Sequence, residues 1–398
     1  MLFICGGKWQ KPWLIFLKRK GHRIVLVDPF PNSPCVPLTD IYIQLDAKDI
    51  PGILNAIKEL NLEIEFVTSD QTDVSTITVA ALTEALGLYG NKVDSVRLFS
   101  NKFENRKFSR AKFNAHYPDF VQAFSAKEVI DFFHKTENEI IIKPVDAQSS
   151  RGIFKIDKSN LDKTSTYFNQ TLSFSKEKYI IVEEFVSGFE ITVEGVCINN
   201  THHTLATSSK KHFRPGIASE LRYPTVLRPN LERRLTKFHN KFIKKTGLLF
   251  GITHAEYIVN PQQTDFWLVE AACRGGGSLI PSHIVPWVSG YNLYETFYNM
   301  SIGAPVLPPE KTLNRSAILL FFEFNAGTIK SIEGIVEAKN QNGVLDLDLE
   351  FEVGSLVGLA QDDRSRQGYT IIVAENPTEL DKRIKSILDL IKVEVAPA

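Results

Sequence analysis

The stretch from Ile141 to Ile153, IIKPVDAQSSRGI, sets a lysine directly after an apolar run of strand type and follows it with a short loop of small polar residues. An ammonium carried to the edge of a core, beside a loop rich in available backbone N–H groups, is suited to phosphate oxygens. Asp146, Gln148, Ser149, Ser150, Arg151 and Gly152 form the tip of that loop and are able to close over an anion. On this reading Lys143 is a phosphate counter-charge. On the plainer reading it is a strand-end lysine that reaches solvent. Two further clusters weigh against the plainer reading.

The first is IIVEEFVSGFE, Ile180 to Glu190, which carries Glu183 and Glu184 inside an apolar strand, where unpaired charge is costly. The alternative to an exposed edge is a strand that flanks a purine. Its backbone would bond the base edge, Phe185 and Val186 would pack on the ring, and Glu190 would reach the ribose hydroxyls past the turn at Gly188. The second cluster is His254-Ala255-Glu256 followed by Glu270. Two strands with a turn near Pro261 would put Glu256 and Glu270 side by side. Adjacent carboxylates repel unless a cation bridges them, and oxygen donors suit Mg²⁺. Arg274 and Gly275-Gly276-Gly277 follow, and the glycines permit close approach of the backbone to a ligand.

Working outward, residues 1–95 alternate strand runs (LFIC, RIVLV, IEFVTS) with helical segments (PWLIFLKRKG, DIPGILNAIKEL, STITVAALTEALG). This order predicts a parallel sheet covered by helices. Gly6 and Gly7 follow the first strand without the GxGxxG spacing, so they read as turn residues, as Asp28 does at the second strand's end. A helix is expected from Asn101 to Asn114, then FVQAF, a helix over Lys127–Lys135, EIIIKP, GIFKI, a helix over Leu161–Leu172 and YIIVEEFV. Residues 190–207 read as two strands, and the polar run from Thr207 to Pro224 reads as a mobile loop. A helix over Asn230–Lys245 precedes the strands ITHAEYIVN and DFWLVEAA. APVLPPEKT resembles a linker, and a mainly strand region closes on a helix over Thr378–Ile391.

The totals narrow the function classes. The 398 residues exceed one ordinary core. Lys+Arg and Asp+Glu balance at 46 each, against the basic surplus expected of a nucleic-acid or anionic-membrane binder. Four separated cysteines without a CxxC pair argue against zinc or a disulfide framework. MLFICGGKW lacks the basic n-region of a signal peptide, and no apolar run approaches the roughly 18 residues of a membrane span. The chain therefore reads as cytoplasmic.

Taken together, these motifs resemble the ATP-grasp superfamily over nearly the whole chain. Its members include D-alanine–D-alanine ligase, biotin carboxylase and the L-amino acid ligases. The resemblance implies an α/β and α+β protein. A nucleotide-fold-like parallel domain would span 1–95, an ATP-grasp domain of two α+β subdomains 96–305 with its lid over about 119–186, and a small, mainly β C-terminal α+β domain 306–398. It implies that Lys102 and Lys143 meet the phosphates, Glu183 meets the adenine amino group, and the backbone of Glu184 and Val186 makes the other adenine contacts. Glu190 would bind the ribose, and Glu256 and Glu270 would hold Mg²⁺, with Mn²⁺ as a substitute. The chain departs from the family's Glu-x-Asn-x-Arg, reading EAACR with Ala272 in place of the asparagine, and its lid loop has the single glycine Gly152.

The activity implied is ADP-forming ligation of a small-molecule carboxylate, expected to be an amino acid, to a small-molecule amine through an acyl phosphate. Arg274 would hold the carboxylate or acyl phosphate; Lys210, Lys211 and His212 lie on the polar loop that would fold over the site, with Lys211 the better candidate for the γ-phosphate contact. His254 and His283 would line the acceptor side or simply pack, and Arg364 and Arg366 would reach in from the C-terminal domain. The alternatives are a biotin carboxylase-like enzyme, a non-catalytic ATP-binding module and, further off, a nicotinamide-linked oxidoreductase. Family habit implies a homodimer.

Overall fold

The computed structural model describes residues 1–147, 151–310, 313 and 315–397; Gln148, Ser149 and Ser150 of the expected phosphate loop lie outside them. Among the described residues the strands form four sheets. The N-terminal sheet holds β1 (Leu2–Ile4), β2 (Val25–Val27), β3 (Ile41–Ile43) and β4 (Val67–Thr68), all parallel, in the order β3-β2-β1-β4. The sequence reading missed β3, a half-buried edge strand of three residues with too short a pattern to register.

The second sheet, in the stretch expected to form the lid, holds β5 (Phe120–Ala123), β6 (Ile140–Pro144), β7 (Phe154–Ile156) and β8 (Ile180–Glu184), antiparallel in the order β5-β8-β6-β7. The helix Ala126–Thr136 starts where the Ser125 side chain accepts from the Glu128 N–H, which satisfies an otherwise orphaned donor. It buries Val129, Phe132 and Phe133, spaced on one helical face, in the core shared with β6 and β8.

The third sheet is long and antiparallel. It contains β9 (Phe189–Ile198), β10 (Thr201–Arg214), β11 (Ile217–Tyr223), β12 (Gly251–Val259) and β13 (Phe266–Ala272). After them come β14 (Ser316–Phe321), β15 (Gly327–Glu333), β16 (Val344–Leu349), β17 (Leu356–Val357), β18 (Gly368–Ala374) and β19 (Lys392–Ala396). The long sheet runs β13-β12-β9-β10-β11-β14-β18-β16, while β17-β15-β19 form a small sheet of their own. The C-terminal strands β14, β18 and β16 thus extend the sheet begun by β9–β13, because β14 pairs with β11. One face of this sheet packs Ile191, Val193, Tyr257 and Val259 against the helix Pro229–Thr246. Part of the other packs Leu221, Leu319, Phe321 and Ile371 into a core with Trp13 and Leu14 of the first domain. Among the described residues no helix is long and apolar enough to cross a membrane.

One expectation fails outright. The run from Thr207 to Pro224 is not a loop but the β10–β11 hairpin, turning at Pro215 and Gly216, where φ is +80°. Its polar composition misled because a strand whose faces carry ion pairs, rather than core, shows no apolar alternation. Ser208 is nonetheless fully buried, and Lys210 nearly so.

Candidate active site

Side chains two apart along a strand share a face, and partners across a ladder share it too. Glu190 and Thr192 on β9 stand on the same face as Lys210 and Ser208 on β10. Thr192 is opposite Glu256 on β12, and Glu256 is opposite Glu270 on β13. The register alone therefore gathers Glu270, Glu256, Glu190 and Lys210 into one row.

The row is held by lysines. Lys210 Nζ lies 2.8 Å from Glu256 Oε1 and 2.9 Å from Glu190 Oε2. His212 Nε2 approaches the same Glu190 oxygen at 3.3 Å. Burial opposes the Lys210 charge, but Glu190, Glu256 and Asp363 outweigh it and raise the ammonium's pKa. Burial would raise the Glu256 carboxyl; Lys210 and His254 reverse that and hold it well below the usual carboxylate range. Lys102, the first helical residue of Lys102–Lys112, reaches Glu270 Oε2 at 2.9 Å and the Ala147 carbonyl at 2.8 Å. It thereby ties the end of the phosphate-loop stretch to the acid row. Lys211, the sequence candidate for the γ-phosphate, faces the other way. Its side chain is 71% exposed and pairs with Glu220 at 2.8 Å, so the inward position belongs to Lys210.

On β8, Glu183 is 1% exposed and is clamped between Lys143 Nζ, 2.7 Å from Oε2, and Arg106 Nε on Oε1. Burial pushes this carboxyl up, yet the two cations bring it down to about 2. Arg106 also donates to the Val269 carbonyl at 2.8 Å, next to Glu270, and so connects β8 to β13. Lys143 and Glu183, assigned separately to phosphate and adenine, are partners of each other here. The Glu184 amide donates to the Asp119 carbonyl and the Phe185 amide to the Glu139 carbonyl, so both are already paired. The Glu184 carboxylate accepts from Asn138, and Phe185 carries Lys155 over its ring at 4.3 Å. Val186 is half-buried just beyond them. Arg151 lies over Phe174, and the space a side chain at Gly152 would need, where φ is +67°, is filled by the same ring at 2.6 Å.

Beyond β13 the chain meets the N-terminal domain. Arg274 gives Nε and Nη2 to the two oxygens of Asp73 at 2.9 and 2.8 Å and Nη1 to the Gly275 carbonyl at 3.0 Å. Among the described residues three of its five N–H groups have partners, which leaves two for a ligand. Asp73 thus orients the guanidinium. Gly275 N–H donates to buried Asp70 at 3.0 Å, and a Cβ there would stand 2.8 Å from that carboxylate oxygen. Burial raises the Asp70 carboxyl to about 6 against bonds from Gly275 and Tyr294. His254 sits between Glu194, at 2.9 Å, and Glu256, at 3.7 Å. Burial opposes its charge, but Glu194 raises it to about 9. His283 bonds Ser282, and Arg364 is an exposed partner of Asp362.

Among the described residues no group of three or more His, Cys, Asp and Glu side chains forms a ready-made metal cage. Two facing carboxylates on one strand pair nevertheless fit Mg²⁺, which takes few protein ligands and fills its shell with phosphate oxygens and water. Ala272, opposite His254, adds no donor.

Sequence reasoning missed Arg106 and Asp73, and it preferred Lys211 to the neighbouring Lys210, whose side chain is the one turned to the acids. Arg106 was legible as Lys102 plus four, one helical turn on and on the same face. Asp73 had no local signal, because its partner lies in another domain.

Comparison with known proteins finds matches to two segments of the chain and to its fold. Residues 136–282 match the family model described as ATP-grasp domain, and residues 320–396 match L-amino acid ligase C-terminal domain 2. The crystal structure of an L-amino acid ligase from Bacillus licheniformis superposes with a TM-score of 0.83 at 17% identity, over 99% of this chain and 98% of that one. The biotin carboxylase domain dimer of Hydrogenobacter thermophilus 2-oxoglutarate carboxylase, in complex with MgADP, superposes at 0.77 and 13% identity, covering 99% and 90%. At such identities these likenesses show the fold. A curated relative, the formate-dependent phosphoribosylglycinamide formyltransferase of Psychromonas ingrahamii, is 27% identical over 210 residues, 50% of this chain and 51% of that protein. The chain spans between 38% and 51% of the length of the curated relatives it matches. Residues 136–282 therefore carry an ATP-grasp domain, of a family whose ligases are ADP-forming and use ATP with Mg²⁺, and residues 320–396 carry an L-amino acid ligase C-terminal domain.

Proposed function

We propose that the chain is a cytoplasmic, ADP-forming ligase that joins a small-molecule carboxylate, an amino acid, to a small-molecule amine through an acyl phosphate. The observation that supports this most directly is the row Glu270–Glu256–Glu190 neutralised by Lys102 and Lys210, beside an Arg274 with two spare N–H groups. The match to an L-amino acid ligase C-terminal domain supports the amino acid as substrate.

The chain's own groups are suited to hold reactants in line and balance developing charge, which is most of what phosphoryl transfer requires. Lys102 and Lys143 lie where phosphate oxygens would replace Glu270 and Glu183 as their partners. Lys210, in place of Lys211, is the cation for the γ-phosphoryl group. Glu190 would turn to the ribose, and Glu184 and Val186 would frame the adenine. Arg274, steadied by Asp73, would take the substrate carboxylate end-on. Glu256 and Glu270 would hold Mg²⁺, with Mn²⁺ as a substitute, and the metal would supply charge neutralisation at the transferring group.

A second reading, a formate-dependent enzyme acting on phosphoribosylglycinamide, has the curated relatives in its favour. It needs an additional site for a ribosyl phosphate. The glycine turn after β1 is poorly suited to that, because the Gly6 N–H already donates to Asp28 at 2.7 Å.

ADP release from MgATP, screened with paired acids and amines and followed by product mass, tests the proposal. Amino acid pairs should release ADP and give a dehydrated product, and Glu270→Gln should abolish that release. Turnover with formate and phosphoribosylglycinamide alone would establish the second reading, and ADP release independent of Glu270 would place the metal elsewhere. A homodimer is expected by light scattering.

A further inference from the structure

The acid row does not end the functional face of the long sheet. Lys210 is opposite Leu221 on β11, which is opposite Leu319 on β14, so Phe321, two residues on, points to the same side. Over the Phe321 ring, 3.4 Å from its centroid, lies the guanidinium of Arg366. Arg366 comes from the loop between β17 and β18. That loop is pinned onto the β10–β11 hairpin. Arg214 donates to the Ala360 carbonyl at 2.8 Å, the Ala218 N–H donates to Asp363 at 3.1 Å, and Gln367 holds the Gly358 carbonyl at 2.8 Å. Asp363 is close enough to Lys210 to raise its pKa, which sets the loop at the edge of the row.

The Arg366 side chain is only 15% exposed. Its one ion-pair partner is Asp363, 3.1 Å from Nη1, with Asp362 a more distant charge, and it has no other hydrogen-bond or ion-pair partner among the described residues. Burial outweighs its two aspartates and lowers its pKa, although it remains charged. A guanidinium this enclosed normally spends its fork on carboxylates or carbonyls. Here the plane is fixed by the aromatic ring and most of the donors are unspent, as in a preorganised anion site. The contrast with Arg214 is direct: that arginine closes both ends of its fork on Glu323 and the Ala360 carbonyl.

We propose that Arg366, stacked on Phe321 and flanked by Asp363, is the binding site for a carboxylate carried by the amine-bearing substrate. The inference rests on the ligase reading above and deepens it. The acid to be activated is met by Arg274 beyond β13, whereas the amine is anchored from the C-terminal domain at the β14 side. The preferred acceptors are then amino acids with a free carboxylate rather than simple amines.

The test separates the two half-reactions. Acid activation is read first, by trapping the acyl group with hydroxylamine in the presence of MgATP and each of the common L-amino acids. Acceptors are then compared as matched pairs, each amino acid against its own carboxamide. The wild type should favour the free acids by about 100-fold in kcat/KM, the scale expected when a buried polar site loses its partner. Arg366→Gln should erase that preference and leave hydroxamate formation unchanged, with Arg366→Lys falling between. Wild-type enzyme that uses carboxamides as well as acids would overturn the proposal without any variant. So would an Arg366→Gln enzyme that retains the preference. Absence of hydroxamate with every acid would instead defeat the ligase reading itself.

Discussion

Lys210 and Lys211 are adjacent in the chain and face opposite sides of β10, and that difference separates a site residue from a surface one. Lys210 is 10% exposed and serves two carboxylates, whereas Lys211 serves one at the protein's edge. Removing Lys210 leaves Glu190 and Glu256 facing each other without their shared cation, and like charges in a buried site are strongly unfavourable. Lys210→Met should therefore lower ADP release by about 100-fold or more, a transition-state charge contact of the kind worth about 3 kcal/mol. Lys211→Met should stay within about twofold, since an exposed pair contributes under about 1 kcal/mol. Equal losses from both substitutions in steady-state ADP assays would show that the hairpin register has been misassigned. From the sequence Lys211 was preferred over Lys210: the choice between them is a matter of strand phase, and the polar composition of the run hid that phase.

The element that carries most of the site on one short segment is the helix Lys102–Lys112. Its N-cap is Asn101, whose side chain accepts from the Glu104 N–H at 3.1 Å and also donates to the Tyr179 hydroxyl at 3.2 Å. A lysine in the first turn opposes the helix dipole, so Lys102 relies on this cap and on Glu104 to stay in place. Asn101→Ala should reduce unfolding free energy by about 1 kcal/mol in urea titration, the usual worth of a cap. It should also raise the KM for ATP several-fold, because Lys102 leaves from this turn and Arg106 from the next; an unchanged KM would separate the cap from the site. This helix was legible in advance, since FENRKFSRAK has a polar helical pattern after a capping asparagine. The β10–β11 hairpin was not, because its partners on β9 and β14 are distant in sequence and supply the order that its composition lacks.

Across the whole molecule, buried histidines of opposite tendency set the pH range of stability. His202, bonded to Asn240 and Thr253, is held neutral chiefly by burial, with its pKa lowered to about 4, and burial likewise holds His239 well below its ordinary value. In the unfolded chain both take protons near pH 6.5. Stability is therefore unaffected by them above that pH and declines as pH falls from about 6.5 toward 4, with His202 alone accounting for about 3 kcal/mol. His254 has the reverse sign. Its pKa is raised to about 9, so it stabilises fully below about pH 6.5, and that contribution is lost as pH rises to about 9. Thermal midpoints should peak between pH 6 and pH 7, to within about half a unit, and His254→Gln should flatten the alkaline limb alone. A midpoint constant from pH 5 to pH 9 would mean these rings are not buried as described. By itself, the amino-acid sequence determined most of the order of elements, the resemblance to ATP-grasp proteins and the acids and lysines of the candidate site, though not β3 or the β10–β11 hairpin. These follow from local patterning and from charges set where an apolar core would not tolerate them alone. Only the tertiary structure decided which of two adjacent lysines faces the acids, that Lys143 and Glu183 neutralise each other, that Asp73 orients Arg274, and that Arg366 stacks on Phe321. Each of those is a pairing across sheets or domains, set by strand register and packing, which leave no mark in the residues nearby.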